Sequence, residues 1–182
     1  MSLSNTPARY GNASIAMHWL IFLLLIGVYA CMELRELYPK GSDPRNAMKA
    51  WHFTLGLSVF ALVWVRLALR LFQVTPAIHP PIPGWQNILS KIIHVALYVF
   101  MIGMPLAGWL ILSGEGKPIP FYGINLPALI EENESLSETI EEIHTTVGTV
   151  GYYLIGLHTV AALYHHYFMR DNTLRRMLPG RS

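Results

Sequence analysis

The stretch IEEIHTTVGTVGYYLIGLHTVAALYHHYF, residues 140–168, decides the architecture of this chain. It is long, apolar and free of strand-like alternation, the pattern of a helix that covers the roughly 20 residues needed to cross a hydrocarbon core. It also carries His144, His158, His165 and His166. His144 and His158 stand 14 residues apart. That is about 40° short of four full turns, so both face one direction and lie about 21 Å apart along the axis. Imidazoles so far apart cannot share one metal ion, but each can hold one of two stacked macrocycles.

Three similar apolar stretches precede this one, at about 15–32, 51–72 and 88–112. Unalternating runs of this length cross a membrane only as helices. Pro39 to Pro44, Thr75 to Gly84, and Gly114 to Pro127 carry the Pro and Gly that separate them. Asp43-Pro44 reads as an N-cap followed by Pro at the first helical position. Ser135 to Glu138 reads as a capping box. Helices are therefore expected over about 14–37, 44–72, 87–113 and 136–169, with Pro105 inside the third. The fold class is an all-α membrane protein, a four-transmembrane-helix bundle enclosing two b-type haems, and residues 1–182 form one domain.

Composition agrees. Hydrophobic residues make up 53% of the 182 and charged residues 13%, about half the share of a soluble domain. A net charge of +2 leaves no basic surface for nucleic acid. The single Cys31 excludes an internal disulfide and thiolate metal motifs, and reads as a packed helix residue. The first apolar run lacks a basic leader and a small-residue cleavage site, so it is a permanent span rather than a signal peptide.

Arg9, Arg66, Arg70, Lys91, Arg170, Arg175, Arg176 and Arg181 belong to the N-terminus, second loop and C-terminus, against one acid, Asp171. The first and third loops hold Arg35, Lys40, Arg45, Lys49 and Lys117 with ten acids. The positive-inside rule then makes both termini cytoplasmic. Helix direction assigns depths: His18 and His158 toward the cytoplasm, His52 and His144 toward the outer face. Four histidines fall into two pairs, His18–His158 and His52–His144, each a set of axial ligands to haem iron. Any one intramembrane histidine can instead be a hydrogen-bonded packing residue, so the reading rests on their mutual geometry. A tetrahedral zinc site would need three or four ligands at one level. Two axial histidines fill the iron's open positions, which suits electron transfer.

His52-Phe-Thr-Leu-Gly56 and His144-Thr-Thr-Val-Gly148 share His-x-Thr-x-Gly. Glycine at i+4 lies on the histidine's face, where it either makes room for a macrocycle or serves a helix contact. Arg66 and Arg70 share a face and either clamp the inner haem's propionates or snorkel to the cytoplasmic interface. His94 offers a propionate contact or a packing hydrogen bond. His165 lies about 20° off the face of His158, near the cytoplasmic interface, where a protonatable group suits a quinone headgroup. His166 faces a neighbour or lipid, and His79 is solvated in the Pro-rich loop.

Several stretches resemble the bacterial cytochrome b561 family. They are Arg9-Tyr10 through His18-Trp19-Leu20, Cys31 through Arg35, Val65-Arg66-Leu67 through Arg70, Gly156 through His158 to Phe168, and Asp171 through Met177. The closing stretch is most similar to the branch that includes superoxide oxidase. The resemblance implies an inner-membrane dihaem oxidoreductase with His18, His52, His144 and His158 as ligands, superoxide as periplasmic donor and ubiquinone as acceptor near His165. Arg35 and Lys49 are the cations assigned to attract superoxide, although the acidic run from Glu131 to Glu142 shares their side. That reading needs no obligate protein partner. The alternatives are an electron-transfer subunit docked to a periplasmic dehydrogenase or hydrogenase, and a haem-free transporter or scaffold.

Overall fold

A computed structural model describes residues 2–180; Arg181 lies outside the described residues. Four helices dominate it: α1 (Asn12–Leu34), α2 (Asp43–Phe72), α3 (Gly84–Gly114) and α4 (Glu134–Tyr164). All four are long and apolar enough to cross a membrane. Successive helices pack on one another, α1 on α2, α2 on α3 and α3 on α4. Leu23, Val99 and Phe168 are among the many large apolar side chains that point outward. In lipid such a surface is ordinary, because the solvent is as apolar as the side chains.

Helix boundaries follow local hydrogen bonding. α2 is capped at Ser42, so Asp43 and Pro44 are its first two residues instead of cap and first residue. The shift follows from the turn before it: Gly41 adopts φ +83° and the Ser42 hydroxyl donates to Pro39 O at 2.8 Å. α4 does not use the Ser135–Glu138 box. Asn133 is the cap, its side chain accepting from Leu136 N at 3.0 Å. Asn133 N also donates to Gly114 O at 2.9 Å, and the buried Ser137 hydroxyl donates to Ile111 O at 2.7 Å. The start of α4 is thereby tied to the end of α3. α3 runs through Pro105 as one helix, although Pro leaves the Met101 carbonyl without its usual partner.

The loop between α3 and α4 holds an antiparallel hairpin, β1 (Ile119–Phe121) and β2 (Ile124–Leu126), paired Ile119 to Leu126. It lies against α2, with Thr54 Oγ1 donating to Pro120 O at 3.3 Å and Ser58 Oγ 3.0 Å from Tyr122 Oη. Ile119 is buried against Leu57 and Leu112.

The main core lies at mid-depth and comprises Ile21, Val59, Val63, Phe100 and Met101. α1 meets α4 through side chains: Tyr29 Oη donates to Gly148 O at 2.8 Å and Tyr152 Oη donates to Glu33 at 2.6 Å. Gly151 makes this seam possible, since a Cβ there would collide with the Tyr29 hydroxyl and the Phe100 ring. Gly151→Ala is therefore expected to destabilise the bundle by about 1–3 kcal/mol, the usual result of overpacking. Thermal unfolding in detergent measures this, with Gly156→Ala as the neutral comparison because a Cβ at Gly156 meets no atom within 4 Å.

Candidate functional site

At the level farther from the termini, α2 and α4 bring His52 to His144, with ring centroids 6.2 Å apart and planes at 75°. His52 Nδ1 lies 3.1 Å from Val28 O. Donation to that carbonyl fixes the tautomer and leaves Nε2 as a free lone pair. His144 Nδ1 is buried with the Met104 carbonyl beside it but outside hydrogen-bond geometry. Both rings line a cavity of about 240 Å³ bounded by all four helices. Glycines form part of its wall. A Cβ on Gly56 would meet no atom within 4 Å, one on Gly108 would lie 3.6 Å from His144 Cε1, and one on Gly148 would lie 3.5 Å from Met104 Cε. The space at Gly56 is room within the cavity, not a tight helix contact.

At the level nearer the termini, α1 and α4 bring His18 to His158, with ring centroids 6.3 Å apart and planes at 75°. His94 on α3 approaches the same ring at 5.4 Å. Its Nδ1 is held 2.6 Å from Ser90 O, one helical turn back. Arg66 is half-buried and within electrostatic reach of His18, His94 and His158. Its Nη1 donates to Ser14 O at 3.4 Å, and it takes part in no ion pair among the described residues. A guanidinium so placed calls for an anion. Arg70, one turn further on, is exposed at the end of α2.

On the termini face, α4 ends in a π turn, His165–Met169, and the chain reverses at Arg170, whose φ is 53°. The reversal sets the buried Asp171 against His165, with Oδ2 2.5 Å from Nδ1. Three segments knit together below. Asn172 N donates to His79 O at 3.0 Å, and His79 N donates to the Asn172 side chain at 2.9 Å. Trp19 Nε1 donates to Met177 O at 2.7 Å, and Arg176 donates to Pro76 O. The loop around His79 is thus pinned through its backbone. His166 Nδ1 is buried and has no hydrogen-bond partner among the described residues.

On the opposite face most cations are engaged. Arg35 Nε contacts Glu36 at 3.0 Å, and Arg45 contacts the same carboxylate at 2.9 Å. Lys117 pairs with Glu115 at 3.0 Å. Lys49 is exposed and takes part in no ion pair among the described residues. Arg35 stays within electrostatic reach of His52.

The family model for prokaryotic cytochrome b561 matches residues 9–180. The chain belongs to the prokaryotic cytochrome b561 family. Among its relatives, "Cytochrome b561 homolog 1" of Escherichia coli K12 is 37% identical over 173 residues, covering 95% of this chain and 98% of the relative. "Probable superoxide oxidase CybB" of Yersinia pestis is 34% identical over 171 residues, covering 94% and 96%. "Cytochrome b561 homolog 2" of Escherichia coli K12 is 27% identical over 179 residues, covering 98% and 95%. Membership implies a b-type dihaem bundle and membrane electron transfer.

Two features of this cytochrome b561 were not singled out from the sequence. Tyr29, Glu33 and Tyr152 line the cavity beside His52 and His144, and a tyrosine and a carboxylate near the end of the first span with a tyrosine inside the fourth were the available signal. Asp171 reaches His165, and its signal was to be the lone acid among eight basic residues on that side. Filling the space beside Gly56 tests the cavity directly. Gly56→Leu should cut haem content by about half, with the remaining haem keeping its spectrum; a pyridine haemochrome assay per chain reads the ratio.

Proposed function

We propose that this cytochrome b561 oxidises superoxide outside the bacterial inner membrane and reduces ubiquinone within it. His18–His158 and His52–His144 are the axial ligand pairs of two b-type haems, and both termini are cytoplasmic. The pair spacings carry the reading. Two imidazoles that each bound one metal ion between them at about 2 Å would stand roughly 6 Å apart between ring centres. The two pairs stand at 6.2 and 6.3 Å. His94 lies only 5.4 Å from His158, short of that span, which favours His18 as the partner.

Haem held by these histidines would supply one-electron transfer. The protein does the rest. His52 is oriented by Val28 O. Arg66, half-buried and without a carboxylate, offers a counter-charge for the inner propionates, and Arg70 extends that charge to the interface. The apolar walls around Gly56 and Gly148 exclude water. The superoxide part rests on the similarity to the Yersinia pestis protein named a probable superoxide oxidase and on the cations near the outer pair, Arg35 within reach of His52 and Lys49 exposed. His165 sits beyond the inner pair at the end of α4, where the membrane gives way to water. It is the residue assigned to ubiquinone.

Wild-type protein should carry two haems per chain. His52→Ala or His144→Ala should remove the outer component, and His18→Ala or His158→Ala the inner one, in reduced-minus-oxidised spectra. Loss of the same component from His18→Ala and His52→Ala would overturn the pairing. His165→Ala should keep both haems reducible by superoxide yet slow their reoxidation by ubiquinone, followed in two separate stopped-flow half-reactions. Wild-type haem that superoxide fails to reduce would favour a subunit fed by a periplasmic dehydrogenase or hydrogenase.

A further inference from the structure

The termini face holds a built contact that the electron-transfer reading does not use. Asp171 is 2% exposed, yet it lies outside the membrane-spanning helices. Its Oδ2 meets His165 Nδ1 at 2.5 Å and its Oδ1 accepts from Thr173 N at 2.8 Å. Burial pushes this carboxyl up, but the hydrogen bonds from His165 and Thr173 and the His165 charge outweigh it and hold the group below the usual carboxylate range. Asp171 is therefore ionised at neutral pH. An ionised carboxylate can only accept, so His165 Nδ1 is the donor and Nε2 is the nitrogen left for exchange.

The surrounding structure fixes this arrangement. The αL reversal at Arg170 delivers Asp171 to the start of the π turn, and Asp171 N donates to His165 O at 3.2 Å. Asn172, the next residue, is bonded in both directions to His79. The charged and titratable groups around the carboxylate are His165 itself and Arg176, whose guanidinium lies over the Tyr10 ring at 5.5 Å. A buried carboxylate that orients an imidazole at the end of a histidine-bearing helix is the arrangement of a general acid and its positioning residue.

We propose that Asp171 is the positioning residue of a proton-donating couple, in which it holds His165 with Nε2–H available to a quinone ring oxygen. The proposal rests on the ubiquinone reading above. Reduction of one quinone to its hydroquinone takes two electrons, supplied one at a time by superoxide, and two protons. For each O–H bond formed on the ring, the Nε2–H bond of His165 breaks. The neutral ring keeps its Nδ1 proton on Asp171, and Nε2 is reprotonated from water on the termini face. Without the carboxylate the doubly protonated ring loses its counter-charge. The couple should then donate only at lower pH.

The test follows reoxidation of the prereduced holoprotein by a short-chain ubiquinone between pH 5.5 and 9, alongside quinone affinity and haem spectra. At neutral pH Asp171→Asn should slow reoxidation about tenfold, a share of the roughly hundredfold or more that a positioned proton donor contributes. Its pH profile should move to lower pH while quinone affinity and both haem spectra stay unchanged. Asp171→Glu should restore the wild-type profile. His165→Ala should be slow and nearly independent of pH, and adding Asp171→Asn to it should slow it no further. A merely structural Asp171 would change yield or haem content without moving the profile, so a wild-type profile in Asp171→Asn beside a slow His165→Ala overturns the couple alone. Wild-type reoxidation in His165→Ala overturns the ubiquinone assignment as well. If Asp171→Asn fails to load haem, Asp171→Ser takes its place: a profile displaced to lower pH supports the couple, and a wild-type profile beside a slow His165→Ala overturns it.

Discussion

Polar groups inside hydrocarbon must find partners within the protein, and the arrangement of this bundle follows from that constraint. Five histidines and one arginine stand where lipid offers no hydrogen bonds. His52 is met by Val28 O and His94 by Ser90 O. Tyr29 spends its hydroxyl on Gly148 O, and Ser137 closes the top of α4 onto Ile111 O. Among the described residues His144 Nδ1 has no hydrogen-bond partner and Arg66 has no ion pair, and both lie beside the histidine pairs. A cytochrome bundle satisfies such demand with its prosthetic groups, so stability and cofactor loading are coupled.

The same constraint explains what the sequence made legible. Membrane helices run straight through the bilayer in alternating directions, so depth can be counted along the chain. The facing of His52 with His144 and of His18 with His158 was readable from spacing and direction, whereas their ligand role remains a proposal. Helix caps were less readable. Ser42 and Asn133 took those positions because the preceding turns spent or freed the competing side chains, which depends on tertiary ties to Pro39 and Gly114. The β1–β2 hairpin was read as a loop, since its pairing covers only three residues per strand and its order comes from packing on α2. Asp171 stood out in the sequence only as a lone acid, and its contact with His165 was not readable because it needs a π turn and an αL residue, neither of which leaves a periodic pattern.

The face opposite the termini shows how family and activity can separate. Relatives at 27–37% identity share the bundle over nearly its whole length, and the helices are what the lipid constrains. The loops between the helices are solvated by water and less constrained. There Arg35 and Arg45 share Glu36, and Lys117 is matched by Glu115, so the local field is set by a few uncompensated charges. Charges in such loops act on whatever approaches that face without being part of the helix packing.

The ties on the termini face also order the assembly of the molecule in time. Trp19 and Met177 are 158 residues apart in sequence, and Asn172 and His79 are 93 apart. A ribosome releases the second member of each tie only after all four spans have emerged. The helices can therefore insert and seek their neighbours before the closing segment arrives. That segment acts as a latch, and it brings the carboxylate of Asp171 with it. The imidazole of His165 acquires its fixed orientation only in a chain that has been made to the end.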